Sequence, residues 1–291
     1  MQKGEMKMET WMITGTTGFL GPRVEAALRE KGEVKVLPMT RRELDFTDEE
    51  QVKRVLGSFR PDVLVHAAAI SDTGACERDP EGSRKVNVTG VEYLAKACRE
   101  NGTKLIFASS DQVYTGSEIR TPHKETEILK PANVYGREKL EAEEIIAARC
   151  PDGISLRLTW MYDLPGKLPV KPNFITNIRD AMDKGELLTF SENDFRGLTD
   201  GRIVAERITH LKDVPGGVYN FGSPNALNFY ETAVRTVEAL GGDPEKIVKR
   251  REDGNFRSLA FSTAKLEAAG IFFPDTIEGI LNRLTHLSEK F

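Results

Sequence analysis

Short apolar runs alternate along this chain with stretches whose apolar positions recur every three to four residues. Trp11–Thr14 predicts a first strand, and Pro22–Lys31 a helix, with proline suited to its first turn and Gly32 to its end. Strands are expected at Val34–Leu37, Asp62–His66, Lys104–Ala108 and Gly153–Leu158. Between them fall helical patterns at Asp48–Ser58, Pro80–Asn101 and Ala132–Arg149, the first capped by Thr47 or Asp48. Connections of this length exclude hairpins. The alternation predicts an α/β fold: a doubly wound (Rossmann) parallel sheet with helices on both faces.

The rhythm changes after Met161. Pro165, Pro169 and Pro172 mark an irregular loop, followed by helical patterns at Phe174–Lys184, Ile203–Leu211, Leu227–Leu240, Thr263–Ala269 and Thr276–Ser288. Gly217–Phe221 reads as one more strand, and the charged stretch Asp243–Asn255 as a solvated loop. The expected division is a nucleotide-binding domain over residues 9–160 and a smaller helix-rich lobe over 161–291, with about 217–240 returning to the sheet.

Composition narrows the function classes. The chain has 291 residues, a net charge of -4 and no basic block, which argues against nucleic acid as a partner. No apolar run is long enough to cross a bilayer, the polar stretch Met1–Thr10 lacks the apolar run of a secretory signal, and the first eight or so residues read as a loose tail, so no membrane partner is expected. Cys76, Cys98 and Cys150 are widely spaced and have no metal-ligand pattern. They fit unreactive thiols in a reducing, cytoplasmic compartment, and no metal site is expected.

The first strand runs into Gly15-Thr16-Thr17-Gly18-Phe19-Leu20-Gly21. Glycines at this spacing allow a tight turn, a close approach of backbone to a pyrophosphate, and close helix–sheet packing. The helix that follows aims unpaired N–H groups at the phosphates. Position between a strand and a helix supports a dinucleotide site over a merely structural turn. The second strand leads to Arg41-Arg42, whose guanidinium groups suit the 2′-phosphate of NADP. Glu43 and Asp45 follow closely and keep NAD open as the alternative. Ala67-Ala68-Ala69, after the third strand, are small enough for backbone to lie against the cofactor. His66, before them, reads as a packed or hydrogen-bonded histidine.

Tyr135 and Lys139 stand four residues apart near the start of a helix and share a face. Tyrosine has a pKa of about 10. A neighbouring ammonium favours the phenolate, so the phenol can exchange a proton with a substrate oxygen while hydride moves. A hydroxyl could orient that oxygen, and Ser109 and Ser110 both qualify by position at the end of the fourth strand.

With the glycine turn, the strand end Ser110-Asp111-Gln112-Val113-Tyr114 and the Tyr135/Lys139 pair, the sequence resembles the extended short-chain dehydrogenase/reductase superfamily. Within it the chain is most similar to the dTDP-4-dehydrorhamnose reductase group, through Leu44-Asp45-Phe46-Thr47-Asp48, Arg157-Leu158-Thr159-Trp160-Met161-Tyr162 and Arg257 to Leu266. The resemblance implies Ser110, Tyr135 and Lys139 as catalytic residues. It implies a cofactor site of Gly15, Thr17, Gly18, Phe19, Leu20, Arg41, Arg42, Asp45, Ala67, Ala68, Ala69, Asn87, Tyr135 and Lys139, with Asp45 near the adenine and Asn87 organising the site. Asp111, Gln112 and Trp160 would meet a nucleotide-sugar substrate; the alternative for Trp160 is a buried aromatic that closes the core. An NADPH-dependent reductase of a 4-keto-6-deoxy sugar nucleotide, a homodimer in some relatives, is the implied function. An epimerase or dehydratase is a second reading, although Gln112 cannot serve as the carboxylate base of a dehydratase. A non-catalytic subunit resembling the partner of methionine adenosyltransferase is a third. The group's Arg-Pro is Arg257-Ser258 here, and tyrosine usually stands at the position of Gln112.

Overall fold

The computed structural model describes residues 8–166, 168–170, 172–250 and 256–288. The tail expected over the first eight or so residues lies mostly outside them. Met8 is exposed, and the first strand begins at Glu9.

The chain opens with β1 (Glu9–Thr14), α1 (Leu20–Lys31), β2 (Val34–Met39), α2 (Glu49–Phe59) and β3 (Val63–His66). Next come α3 (Thr73–Arg78), α4 (Pro80–Arg84), a π-helical turn (Lys85–Thr89) and α5 (Gly90–Asn101). β4 (Lys104–Ser110), a 3₁₀ turn (Asp111–Tyr114), α6 (Val134–Arg149) and β5 (Ile154–Leu158) complete the alternating half. Six strands form the main sheet, in the order β10-β5-β4-β3-β1-β2, where β10 is Gly217–Phe221. β1 pairs in parallel with β2 on one side and β3 on the other, and β3 with β4. The sequence order reverses between β1 and β3, which makes the ends of these strands the switch point where doubly wound folds bind ligands.

The sequence reading located this sheet, with small differences at the element ends. Pro38 lies inside β2 because β2 is the edge strand, where a missing N–H costs no ladder bond. Asp48, not Thr47, caps α2 and accepts from Gln51 N at 3.1 Å. The helix expected over 80–101 contains the π-helical turn, and α3 before it was not expected.

After β5 follow β6 (Trp160–Tyr162), α7 (Phe174–Lys184), β7 (Leu188–Ser191), β8 (Asp194–Phe195), β9 (Leu198–Asp200) and α8 (Gly201–Ile208). Beyond β10 are α9 (Phe229–Ala239), β11 (Ile247–Arg250), β12 (Arg257–Ser258), α10 (Ala264–Ala268) and α11 (Thr276–Ser288). This half is helix-rich as expected, and it also carries short strands that the sequence did not predict. Six short strands pair in parallel as β6–β9, β7–β11 and β8–β12, with β11 lying inside the expected loop 243–255. Runs of two to four residues are too short for alternation to reveal them. Pro244–Lys246 in the same stretch form a 3₁₀ turn, and 251–255 lie outside the described residues.

The fold divides into two compact units: residues 1–108, 141–155 and 205–217, and residues 109–140, 156–204 and 218–291. The first has a core of Met12, Leu64, Val91, Leu94, Leu105, Phe107, Ala142 and Ile146, with α2 packed on α5. The second buries Tyr162, Phe174, Ile178, Leu198, Val237 and Ile280. Among the described residues no helix is long and apolar enough to cross a membrane.

Candidate active site

In the first unit the glycine turn closes on itself: Gly18 N donates to Gly15 O at 3.0 Å. Gly15 has φ +76°, and a Cβ there would lie 2.6 Å from the carbonyl carbon of Ala67. A Cβ on Gly21 would lie 2.4 Å from Gly15 O. Both glycines are therefore demanded by the protein itself. Gly18 differs, because among the described residues a Cβ there would meet only Gly15 O, at 3.2 Å. Its backbone is left bare toward whatever lies on the turn. Phe19, at the N-cap of α1, makes no side-chain capping bond among the described residues, and the first turn holds no acid. Such a helix start suits an anion. Arg23, buried, donates to Phe19 O at 2.5 Å and lies 3.8 Å from the ring centroid, which steadies the turn.

A cleft of about 240 Å³ opens beside the turn. Of the predicted cofactor residues, Gly15, Thr17, Arg41, Asp45, Ala68 and Ala69 line it. Gly18, Phe19, Leu20, Arg42, Ala67 and Asn87 are not part of that lining. Arg41 stands at the lip with 81 % of its side chain exposed, and its Nε donates to Asp45 Oδ2 at 3.3 Å. Asp45 also accepts from Thr47 Oγ1 at 2.6 Å and Thr47 N at 3.1 Å. Thr47, aided by Arg41, holds this carboxyl below the usual carboxylate range, with burial opposing. The acid thus stays charged but is turned to its own loop.

Asn87 lies buried in the π-helical turn. Its Oδ1 accepts from Ile70 N and its Nδ2 donates to Ile70 O, both at 2.9 Å. One carboxamide thereby takes the place of a neighbouring strand and fixes the segment that lines the cleft after β3. Pi-helical insertions of this kind often mark functional positions. His66 is packed as expected: its Nδ1 is 2.7 Å from Thr14 Oγ1, and Phe46 meets its ring edge-on.

The second unit holds Ser110, Asp111, Gln112, Tyr135, Lys139 and Trp160. Ser110 caps the 3₁₀ turn, accepting from Gln112 N at 3.2 Å, and its hydroxyl is 3.3 Å from Asp111 Oδ1. Ser109 points into the protein and is buried. Asp111 is buried; Gln112 Nε2 donates to its Oδ1 at 3.3 Å, and its Oδ2 has no hydrogen-bond partner among the described residues. Burial pushes this carboxyl up to about 7, against the hydrogen bond from Gln112 and the charge of Arg257. The far end of the turn is anchored where Tyr114 donates to Asn220 at 2.6 Å, accepts from Arg157 at 2.9 Å and stacks on His123 at 4.3 Å.

Tyr135 and Lys139 are both buried in the first two turns of α6, with the ammonium 5.6 Å from the phenol ring centroid. That helix start lies against the Ser110 turn. A Cβ on Gly136 would be 2.4 Å from Gln112 O. Asn133 joins the two segments, accepting from Gly136 N at 2.6 Å and donating to Gln112 Oε1 at 3.1 Å. The sequence reading missed Asn133, although asparagine three residues before a helical amide is a capping signal. Trp160 does not close a core: it is 40 % exposed, with Arg196 5.4 Å from its ring centroid.

Residues 8–256 match the family model described as the RmlD substrate binding domain. The chain belongs to that family. This RmlD-family chain is 30% identical to a dTDP-4-dehydrorhamnose reductase of Aggregatibacter actinomycetemcomitans, over 78% of either protein. It is also 30% identical to a dTDP-4-keto-6-deoxy-D-glucose reductase of Streptomyces niveus, over 82% of this chain and 81% of the other. Its fold matches a dTDP-4-dehydrorhamnose reductase of Bacillus anthracis solved with NADP, at TM-score 0.85 and 20% identity, covering 97% of this chain and 99% of that one.

Proposed function

We propose that this RmlD-family chain is an NADP-dependent oxidoreductase that reduces a nucleotide-linked 4-keto-6-deoxy sugar. The reductases among its relatives support that reading, and so does the NADP complex of the Bacillus anthracis protein. The observation that carries it is the buried Tyr135/Lys139 pair, set on a helix start that is packed against the Ser110 turn.

The bare backbone at Gly18, the uncapped start of α1 and the cleft beside Arg41 fit a dinucleotide. The Gly15–Gly21 turn would hold the pyrophosphate, Arg41 the 2′-phosphate, and Ala68 and Ala69 the adenosine half. When bound, NADPH supplies a hydride to the carbonyl carbon. Ser110 Oγ–H donates to the carbonyl oxygen and orients it. Tyr135 gives its phenolic proton to that oxygen as the carbonyl becomes an alcohol. The Lys139 ammonium stabilises the resulting phenolate, and a solvent proton restores the phenol. Asp111 and Gln112 would receive sugar hydroxyls, and Trp160 would offer its exposed face to the substrate.

The test is NADPH consumption followed by absorbance, with a set of dTDP-4-keto-6-deoxyhexoses. Stoichiometric oxidation supports the reading. No turnover with any member, while NADPH binds normally, overturns it.

A further inference from the structure

The mechanism leaves one half-buried polar link unused, the carboxamide of Asn133. Ser110 and Tyr135 come from segments 25 positions apart in the chain. Their reach to a single oxygen depends on how the Asp111–Tyr114 turn and the start of α6 are held together. Two features hold them. One is the close fit of Gly136 against Gln112 O, which sets how near the segments approach. The other is Asn133, whose two polar atoms face different segments. Oδ1 accepts from Gly136 N, the amide next to Tyr135, at 2.6 Å. Nδ2 donates to Gln112 Oε1 at 3.1 Å. Gln112 passes the link on, since its backbone N donates to Ser110 Oγ at 3.2 Å and its Nε2 to Asp111 Oδ1 at 3.3 Å. Thr115 Oγ1 also donates to Gln112 Oε1, at 3.1 Å, which fixes the orientation of that side chain.

We propose that Asn133 is a positioning residue, whose carboxamide locks the Tyr135 helix to the Ser110 turn through Gln112 and so sets the alignment of phenol and hydroxyl. The inference rests on the reading that Tyr135 and Ser110 act on the carbonyl oxygen. A plain helix cap needs only an acceptor for Gly136 N, and serine or aspartate would serve as well. The donor side of the carboxamide contributes nothing to capping. It has a purpose only if the helix must be registered against the turn.

Serine separates the two roles, because Asn133→Ser keeps the cap and is too short to reach Gln112. The test measures kcat, KM and NADPH affinity for the wild type, N133S, Q112A, N133S/Q112A and Y135F, with thermal unfolding of each. Misalignment of reacting groups costs roughly 10- to 100-fold in rate. The expected result for N133S is an unfolding midpoint and NADPH affinity near those of the wild type, substrate KM within about twofold, and kcat lowered by about tenfold or more. Because Asn133 acts through Gln112, the double variant falls no further than the more damaged single one. The proposal is overturned if N133S keeps its kcat while Y135F loses activity, or if the losses of N133S and Q112A multiply. Wild-type activity in Y135F, or no turnover by the wild type, overturns the catalytic reading and this proposal with it.

Discussion

Gly136 and Gln112 stand so close that a Cβ on the glycine would lie 2.4 Å from the glutamine's carbonyl oxygen. The residue after the candidate acid is thus glycine because backbone meets backbone there. The Gly136→Ala variant should separate α6 from the Ser110 turn. The expected cost is about 1–3 kcal/mol of stability, read by urea unfolding, together with a fall in kcat that exceeds the change in substrate KM. An alanine variant of wild-type stability and rate would show that the contact is slack.

The three turn glycines should part company. Gly15→Ala forces a positive φ on a residue with a side chain and drives it into Ala67, with about 1–3 kcal/mol from backbone strain alone. Thermal unfolding should register this without any cofactor. Gly18→Ala has only Gly15 O to avoid, so its unfolding midpoint should stay near that of the wild type. Its NADPH affinity, measured by calorimetry, should fall by about tenfold or more, as expected for a methyl group forced against a pyrophosphate. Equal affinity in wild type and Gly18→Ala would remove the turn from the cofactor site.

Arg41→Ala bears on the cofactor choice. A charge-assisted bond to a phosphate contributes about 1.5–3 kcal/mol, so the dissociation constant for NADPH should rise roughly 10- to 100-fold. That for NADH should barely move. Parallel losses for both nucleotides would show that the arginine does not read the 2′-phosphate.

Asp111 makes stability depend on pH. Burial holds its carboxyl up to about 7 in the folded chain, whereas an unfolded aspartate titrates near 3.9. Between these values folding takes up a proton, so this group lowers stability as pH rises from about 4 to 7, by about 1.4 kcal/mol per unit of displacement. Above pH 7 its contribution is flat. Urea unfolding of wild type and Asp111→Asn at pH 5 and pH 7 should show the wild type losing stability relative to the variant across that window. Parallel curves would contradict it.

The sequence carried the sheet well, because β1 to β5 are four to seven residues long and are separated by helices with clear periodicity. It carried the glycine turn because the spacing is itself the signal: Gly21 answers the carbonyl of Gly15, six positions back, although the backbone that Gly15 must clear, at Ala67, lies 52 positions away. The paired strands β7–β11 and β8–β12 were not legible, since two to four residues hold no period and each gains its partner from some 60 positions away. Ser110 was separated from Ser109 by resemblance alone; what distinguishes them physically is strand alternation, which buries Ser109 and leaves Ser110 to cap the turn. Arg41 could be read as a phosphate ligand, but its bond to Asp45 depends on the fold of the loop between them. Asn133 was hidden because its second partner, Gln112, lies 21 positions away.

Where the hydride goes decides the proposed reaction. NADPH carrying deuterium at the transferable position of the nicotinamide should be incubated with a dTDP-4-keto-6-deoxyhexose and the chain, and the product sugar examined by NMR. One deuterium is expected at C4 of the product for each NADPH consumed, with a rate about 10²- to 10⁴-fold lower for Tyr135→Phe. A sugar without deuterium, or a Tyr135→Phe variant that transfers it at the wild-type rate, would contradict the account.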